Sequence, residues 1–395
     1  MKRITVFLLL LGGFLWGCKT QKKAALVSDN SLKPDTTEVI REPVYLVTQL
    51  GDTLDQLGDE VDIEIVRVRK DTVTLIGVGD IMMGTNFPSK NYLPANNASD
   101  LWEEVKDTLM LADVTFGNLE GVILDDGGEQ KKCKNPKVCY LFRSPESYVE
   151  NLIESGFDAV SLANNHAGDF GQSGRDNTMR VLDSVGIHFA GLLSRPITIF
   201  KKEGMMYGLA AFSPNRGTQL IHHEDEAIKL VSKLDSLVDI VIVSFHAGAE
   251  GEDHQHVTRK REFYYGEDRG NVYDFSRKMV DAGADVIFGH GPHVTRAFDL
   301  YKDRFIAYSL GNFCTYGRFS LRGVKGIAPI AKVYTDADGR FLKGELISVK
   351  QLGAGGPKLD SKKKAIKIAK ELTEKDFPES KIQIDDSGFI FYIDR

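Results

Sequence analysis

From residue 71 onward, the chain alternates between short unbroken apolar runs and segments whose apolar positions recur at helical spacing. Unbroken apolar runs of strand length predict β-strands that are buried on both faces of a sheet. The clearest runs are 72–79, 113–117, 157–163, 239–245 and 285–288. Further strands are predicted at 188–193, 197–201, 207–212, 305–310, 326–334 and 341–349, some of them antiparallel.

Segments of helical periodicity lie between these runs. They predict helices at 100–112, 144–155, 175–185, 225–237, 271–282 and 361–373. Asp100 can cap the first of them, and Gly156 and Gly283 stand just after the ends of two others. Strands that alternate with helices in this way are typical of an α/β domain.

The N-terminus has the pattern of a secretion signal. A basic start, Met1–Arg3, precedes the apolar stretch 4–16, which is too short to span a bilayer comfortably. The following Gly17-Cys18 resembles the lipobox of bacterial lipoproteins, although Trp16 is bulkier than that box usually holds. We therefore predict a lipoprotein signal peptide at 1–18, lipidated at Cys18, which anchors an exported protein to a membrane of the bacterial cell envelope. An ordinary secretory signal with an incidental cysteine is the alternative.

The remainder of the chain divides into four predicted parts. Residues 19–43 are polar and read as a flexible tether, and 44–71 contain short alternating segments typical of edge strands. The regular α/β pattern fills 72–315, and 316–395 form a C-terminal extension of the same domain.

Composition adds two restrictions. The 395 residues are 42% hydrophobic and carry a formal net charge of −6, so we expect no nucleic-acid partner. Cys133 and Cys139 lie at a Lys- and Gly-rich loop, 125–137, where a disulfide is expected in an exported chain. A zinc site there is disfavoured because no local histidine or further cysteine completes a ligand set. Cys314 follows an apolar strand and is expected to pack as a small apolar residue.

Polar side chains that bind metals or move protons follow five of the predicted strands. They are Asp80; Asn118 and Glu120; Asn164, Asn165 and His166; His246 and Glu250; and His290 and His293. The carboxyl ends of parallel strands meet at one edge of a sheet, so we expect these groups to converge on a metal or catalytic cleft. Imidazole and carboxylate together suit Zn, Mn or Fe.

Each ending also has a purely structural interpretation. Asp80 can cap a helix or form an Asx turn, and the glycines and proline around His290 and His293 are those of a turn. In the stretch 161–171, SLANNHAGDFG, Asn165 and Asp169 can bond their own backbone. The repetition of such endings after five strands favours a site, with Asp169 and Gly171 forming mainly the turn that aims its residues.

Six motifs resemble those of a known family. In order they are GDIMMG, FGNLEG, SLANNHAGDFG, FHAGAE, GHGPHV and YSLGNF. They are similar to the motifs of the CapA family, linked to poly-γ-glutamate capsule synthesis and forming a branch of the calcineurin-like metallophosphoesterases. The resemblance covers residues 73–313 and implies a four-layer α/β/β/α sandwich with its site at the sheet edge.

The resemblance also implies roles for individual residues. Metal ligands would be Asp80, Glu120, Asn165, His246, His290 and His293, holding one or two divalent ions of Mn, Zn or Fe. His166 matches the histidine that acts on the leaving group or orients the nucleophile. Glu250 would orient His246, and His166 and Glu250 are the two predicted catalytic residues. Arg296 is expected to be a surface cation, or else a contact for an anionic substrate.

Three positions depart from the family pattern. Met82 occupies the place of a ligand histidine, which implies a weaker second metal position or a mononuclear site. Glu120 stands in place of a bridging aspartate, and Ala247 replaces a tryptophan, a loss expected to open the pocket beside His246.

These observations favour a surface-anchored, metal-dependent hydrolase or transferase of cell-envelope polymer biosynthesis, of the poly-γ-glutamate type. Its expected partners are an anionic polymer, the membrane that holds its lipid, and a polymer synthesis or export complex. The alternative is a membrane-tethered accessory that binds the polymer or the export complex without turnover, which Met82 favours. A purely structural lipoprotein would not need histidines and amides at successive strand ends.

Overall fold

The computed structural model describes residues 70–133 and 139–393, which form two β-sheets packed face to face with helices outside. The predicted signal peptide with Cys18, the tether at 19–43 and the edge strands at 44–71, apart from their last two residues, lie outside the described residues. Within the described part, no helix is both long enough and apolar enough to cross a bilayer.

The helices and strands follow the predicted alternation. The helices are α1 (Lys106–Leu109), α2 (Val149–Glu154), α3 (Gly171–Val185), α4 (Glu224–Asp235), α5 (Val272–Asp281) and α6 (Lys364–Asp376). The strands are β1 (Val73–Met82), β2 (Val114–Leu119), β3 (Val122–Ile123), β4 (Arg143–Ser144), β5 (Ala159–Ser161), β6 (His188–Ala190), β7 (Ile197–Lys202), β8 (Met205–Phe212), β9 (Ile240–His246), β10 (Phe263–Tyr264), β11 (Glu267–Asp268), β12 (Val286–His290), β13 (Phe298–Tyr301), β14 (Arg304–Ala307), β15 (Asn312–Thr315), β16 (Ile327–Thr335), β17 (Phe341–Gln351), β18 (Pro357–Leu359), β19 (Ile382–Ile384) and β20 (Phe389–Tyr392).

The strands carrying the candidate residues belong to two different sheets. The larger sheet has the order β19-β20-β17-β16-β1-β2-β5-β6, with β15 paired to β1 and β18 to β17. The smaller sheet has the order β13-β14-β12-β9-β8-β7. Strands β1, β2, β5 and β6 are parallel to one another, as are β8, β9, β12 and β14. The candidate residues were predicted to meet at the edge of one sheet. They come instead from strands of two sheets that share this edge.

Three apolar layers hold the four structural layers together. Between the sheets, Phe116 of β2 stacks on Phe288 of β12, with ring centroids 5.7 Å apart. Outside the larger sheet, Leu182 of α3 is fully buried, and outside the smaller one Phe275 of α5 is 1% exposed. Burial of such side chains is the main stabilising term of the fold. The predicted four-layer α/β/β/α class is confirmed.

Two predicted helices are shorter than their sequence pattern indicates. The segment 100–112 contains only the single turn α1, preceded by a 3₁₀ segment, Asn96–Leu101, in which Asn97 and Ala98 have φ values of 54° and 66°. Those left-handed residues interrupt helical hydrogen bonding. The segment 144–155 likewise begins with a 3₁₀ turn and contains α2 over six residues. The predicted domain limits stay predictions.

Candidate metal centre

Strands from both sheets deliver polar residues to one place. Asp80 lies in β1, Glu120 follows β2 directly, and His166 lies in the loop after β5. From the smaller sheet, His246 is the last residue of β9, and His293 lies three residues after the end of β12. The apolar strand interiors lock these ends in position, so the site is held by the two cores on which the sheets pack.

Four of these residues form a compact cluster. One potential ligand atom each from Asp80, Glu120, His246 and His293 lies within 4.8 Å of the others. His293 Nδ1 is 2.9 Å from Asp80 Oδ2, and His293 Nε2 is 3.7 Å from Glu120 Oε1. His246 Nε2 is 3.6 Å from the same Glu120 oxygen. The latter two separations are too long for hydrogen bonds and leave the atoms facing a common centre.

The cluster contains buried polar atoms without partners. Both carboxylate oxygens of Glu120 and both ring nitrogens of His246 are buried and accept or donate no hydrogen bond among the described residues. Burying such groups unpaired is costly, and buried charges in proteins are normally paired or bound to a metal. Two carboxylates and two imidazoles match the ligands of Zn, Mn or Fe. The residues present therefore fit a divalent metal ion.

Electrostatics point the same way. Burial opposes ionisation of Glu120, but the charges of His293, His246 and His166 outweigh it and lower its pKa to about 2. Burial lowers the pKa of His293, whereas Glu120 and Asp80 raise it, with a net increase to about 10. The protein side chains thus create a negative centre that draws positive charge.

His166 is held by a carboxylate. Its Nδ1 lies 2.7 Å from Asp169 Oδ2, which also accepts a 2.8 Å hydrogen bond from the backbone N–H of Phe142. A carboxylate at Nδ1 fixes the orientation of the imidazole and directs Nε2 elsewhere. Here Nε2 faces Glu120 Oε1 at 3.8 Å. Asp169, expected to serve mainly the turn, is fully buried and positions His166.

Two asparagines support the cluster, and a third, Asn165, directly precedes His166 in the chain. Asn118 donates a 2.8 Å hydrogen bond to Asp80 Oδ1, and Asn164 donates to Asn118 Oδ1 at 3.1 Å. This amide relay orients Asp80. Asn165, a predicted ligand, has a buried Oδ1 without a hydrogen-bond partner among the described residues, while its backbone carbonyl accepts from Lys131 Nζ at 2.8 Å. Its amide oxygen thus remains available.

His290 does not join the cluster. Its Nε2 is 3.0 Å from the carbonyl oxygen of Val78, and its Nδ1 is 3.3 Å from Ser244 Oγ. Both ring nitrogens are therefore engaged with the protein, and burial lowers the pKa of this imidazole. His290 thus lies outside the four-residue cluster and ties β12 of the smaller sheet to β1 of the larger, and its ligand role stays a prediction.

Glu250 also lies elsewhere than predicted. Its carboxylate pairs with Arg269, and His246 Nδ1 has no hydrogen-bond partner in the described residues. The structure therefore does not place Glu250 where it would orient His246.

Arg296 is neither a surface cation nor a substrate contact. It is fully buried and forms a two-point ion pair with Glu262, with nitrogen–oxygen distances of 2.9 and 2.8 Å. It also donates to the carbonyl of Ala249, in the loop after His246. The cation is structural because its charge and hydrogen-bonding groups are used inside the protein.

The two family departures near the centre are filled by packing. Met82 is 1% exposed, and its sulfur accepts from the backbone N–H of Gly84 at 3.3 Å. Ala247 is fully buried, and its N–H donates to the His290 carbonyl at 2.8 Å. The described residues show no opening beside His246 at this position, because Ala247 is part of the buried core outside the smaller sheet.

Asn312 is a residue whose role sequence reasoning missed. It stands opposite Asp80 in the β1–β15 pair, and its Nδ2 donates to the carbonyl of His293 at 3.2 Å and of Lys325 at 3.0 Å. His293 has a left-handed backbone, φ 57°, which is uncommon for a non-glycine residue. Asn312 helps to hold that conformation and thereby aims the imidazole. Its motif, YSLGNF, was the available signal.

An aromatic pair covers the centre. The Phe142 ring lies 4.2 Å from the His166 ring and 4.9 Å from that of Phe319, which in turn lies 6.0 Å from the His293 ring. These two phenylalanines come from distant loops, and nothing in their local sequence indicates the contact.

The cysteines occupy separate places. Cys133 and Cys139 are joined by a disulfide, and Cys314 is fully buried with a free thiol whose pKa burial raises. Lipidation of Cys18 stays a prediction, because that residue lies outside the described part of the chain.

Fold and site together define a two-sheet α/β protein with a carboxylate–histidine centre able to hold a metal. The family model described as bacterial capsule synthesis protein PGA_cap matches residues 74–316, more than half of the chain. The chain therefore belongs to this family, and the resemblance to CapA proteins is confirmed.

Two curated relatives agree with this assignment. The capsule biosynthesis protein CapA of Bacillus anthracis is 29% identical over 263 residues, covering 61% of this chain and 59% of that protein. The PGA biosynthesis protein CapA of Bacillus subtilis (strain 168) is 29% identical over 260 residues, covering 62% and 63%. The match thus spans about three fifths of the length of these relatives.

Similar solved structures include a hypothetical protein from Thermus thermophilus, at 14% identity and a TM-score of 0.42, covering 71% of this chain and 100% of that one. The NAD nucleotidase of Haemophilus influenzae is 10% identical with a TM-score of 0.37, covering 75% and 55%.

Proposed function

We propose that this chain is a metal-dependent hydrolase or transferase that acts on an anionic cell-envelope polymer during capsule-type biosynthesis. The observation that carries the proposal is the cluster of Asp80, Glu120, His246 and His293, in which the oxygens of Glu120 and the ring nitrogens of His246 are buried without hydrogen-bond partners among the described residues. A buried centre of this kind is expensive to maintain in a protein that only binds a polymer at its surface.

The cluster fits one divalent ion of Zn, Mn or Fe. Its four ligand atoms lie within 4.8 Å of one another, and Asn165 Oδ1 offers a further oxygen. Met82 supplies no imidazole, and both nitrogens of His290 are engaged, so the described residues lack the ligands for a second strong position. A bound divalent metal supplies a Lewis acid and an acidified water at such a centre.

The protein's own residues perform the remaining tasks. Asp169 fixes His166 through Nδ1, so that Nε2 can deliver a proton to the leaving group. Asn118 and Asn164 keep Asp80 in one orientation. The ring of Phe142 packs on His166 and excludes water from the proton donor.

Anchoring completes the proposal. A lipid on Cys18 would hold the protein at the exported side of a membrane, where a capsule-type polymer and its synthesis or export complex are found. Globomycin treatment, which blocks lipoprotein signal cleavage, should leave a larger precursor, and Cys18→Ala should leave a precursor of the same size that incorporates no labelled fatty acid.

The central experiment compares metal content with turnover. The full-length protein should contain about one metal per chain, lose polymer hydrolysis or transfer when the metal is removed, and regain it when metal is restored. His166→Gln should keep the metal and lose turnover by about 10²–10⁴-fold, the usual contribution of a proton donor. Turnover that is indifferent to metal removal would refute the proposal.

A non-catalytic accessory is the second candidate, favoured by Met82 in place of a ligand histidine. An accessory with a decayed centre should purify with far less than one metal per chain. It should bind the polymer equally well before and after His166→Gln, without any turnover.

A further inference from the structure

Two arginines near His166 have no carboxylate partner. Arg175 lies on α3, and Arg216 lies in the loop after β8. Among residues 70–133 and 139–393, neither forms an ion pair. On the same helix, by contrast, Arg180 is paired with Glu146 at 2.8 Å.

The hydrogen bonds of Arg175 are weak. Its Nη1 is 3.5 Å from Gln172 Oε1, its Nη2 is 3.4 Å from the carbonyl of Arg216, and its Nε is buried without a partner in the described residues. Guanidinium hydrogen bonds to anions are usually 2.7–2.9 Å long. Burial and then the charge of Arg216 lower the pKa of Arg175, and the charge of Asp176 offsets them only in part.

Glycines give this guanidinium its position. A Cβ atom on Gly168 would lie 2.5 Å from Arg175 Nη2, and one on Gly217 would lie equally close. The guanidinium therefore rests between two backbone segments that can accommodate it only without side chains. Gly168 lies two residues after His166 in the loop that carries it.

The location is at the same edge as the metal centre. Phe212, the last residue of β8, pairs with Phe245 of β9, the residue before His246. The loop after β8 therefore starts beside the cluster. Lys131 also contacts the His166 loop: it donates to the Asn165 carbonyl and lies 3.8 Å from Asp169 Oδ1, with its side chain 42% exposed. Cations thus contact the loop that carries the proton donor.

We propose that Arg175 and Arg216 form a subsite for an oxyanion, a carboxylate or phosphate group of the polymer, beside the bond on which His166 acts. The inference rests on the proposed function in that it takes the polymer to reach the metal centre. A planar guanidinium can bind either oxyanion through two parallel hydrogen bonds, and a second nearby arginine adds charge. The subsite would select acidic polymers over neutral ones of the same backbone.

Binding can be tested without turnover. Isothermal titration calorimetry on the full-length protein in detergent would use three short oligomers: γ-linked glutamate, glycerol phosphate and neutral γ-linked glutamine. At least one anionic oligomer should bind, and Arg175→Met or Arg216→Met should weaken it about 10- to 100-fold, the loss of charged hydrogen bonds. The neutral oligomer should bind the variants and the original protein alike.

The controls separate charge from folding. Arg180→Met removes the same charge from the same helix at a residue that already has a partner, and should change anion affinity by less than about twofold, as expected for an exposed paired charge. Arg216 is exposed, so Arg216→Met should fold normally even where Arg175→Met does not. Gly168→Ala should displace the Arg175 guanidinium and weaken the same oligomer.

Three outcomes decide the matter. Equal affinity of the variants and the original protein, or no binding of either anionic oligomer, overturns the subsite. Arginine-dependent binding without any turnover supports the subsite and rejects the hydrolase. The anionic oligomer that responds to both arginine variants identifies the group, carboxylate or phosphate, that the subsite recognises.

Discussion

Two buried charged regions lie close together in this protein and are built in opposite ways. In the first, Arg296 and Glu262 are 0% and 7% exposed, and they satisfy each other through two hydrogen bonds. In the second, Glu120 and His246 are 1% and 0% exposed, and their polar side-chain atoms have no hydrogen-bond partner in the described residues. The two regions are buried to the same degree, but only in the first do the charged groups form hydrogen bonds with each other.

That difference separates structure from chemistry. A buried ion pair that is fully hydrogen-bonded organises the chain around it, here the loop after β9 through the carbonyl of Ala249. A buried carboxylate and imidazole left without partners persist in a native protein when something else occupies them. The first region should therefore respond to mutation through stability, and the second through metal binding.

The largest effect is expected at the satisfied pair. Arg296→Met leaves the Glu262 carboxylate buried and unpaired, and should lower the free energy of unfolding by about 3–5 kcal/mol. Chemical denaturation of the full-length protein measures this change, and the folded fraction should retain its metal. The double variant Arg296→Met/Glu262→Leu removes both charges and should recover much of the loss. A single variant that is stable but lacks metal would place Arg296 in the site instead.

His246→Ala should affect metal binding, whereas Arg296→Met affects stability. Removing a ligand should weaken metal binding by at least about 100-fold, beyond the 10- to 100-fold typical of residues that only support ligands. Metal content after dialysis and a competition titration with a chelator give the affinity. His256→Ala is the matched control, since His256 is exposed and pairs with Asp376. If both variants keep the metal equally, the cluster is not the metal centre.

Asn312→Ala tests a residue outside the cluster that supports one of its members through the hydrogen bond from Nδ2 to the His293 carbonyl. Losing its hydrogen bond to the His293 carbonyl should let the left-handed backbone relax and weaken metal binding about 10-fold, the lower end for a supporting residue. The same titration measures it. Asn151→Ala removes a buried asparagine that bonds the carbonyl of Asn97, away from the centre, and should leave metal affinity unchanged.

Sequence reasoning reached the strand ends because their signal is local. An unbroken apolar run that stops at a polar residue predicts both the strand and the edge, and Asp80, Glu120, His246 and His293 were found in this way. The fold class follows from the same alternation together with the family motifs.

The contacts that the sequence does not predict join distant segments. His290 has the spacing of a ligand, but Val78 of the opposite sheet takes its Nε2, and the packing of one sheet on another is not written in either strand. Arg296 cannot be told from a surface cation because its partner, Glu262, lies 34 residues away. Asp169 is the converse case. It lies three residues from His166, and a turn was a sufficient explanation until the 2.7 Å contact was seen.

Glu250 gives the smallest expected effect and the sharpest test of the comparison. Sequence reasoning makes it the residue that orients His246, a role whose loss costs about 10- to 100-fold in metal affinity. In the structure its carboxylate pairs with Arg269, whose side chain is 5% exposed, and not with His246. Glu250→Gln should therefore lower the free energy of unfolding by about 1 kcal/mol and change metal affinity by less than about twofold, since one charged hydrogen bond is only weakened.

The control for Glu250→Gln is Glu267→Gln, at an exposed carboxylate 3.9 Å from the same arginine, which should alter neither quantity. A tenfold loss of metal affinity in Glu250→Gln alone would show that a charge can be satisfied by one partner and still serve the centre. A hydrogen-bonded partner would then no longer show that a charged residue lies outside the metal centre. Only the presence of unpartnered buried atoms would distinguish the two regions. An unchanged metal affinity would show that the metal centre includes His246 and ends before Glu250, in the loop that joins these two residues.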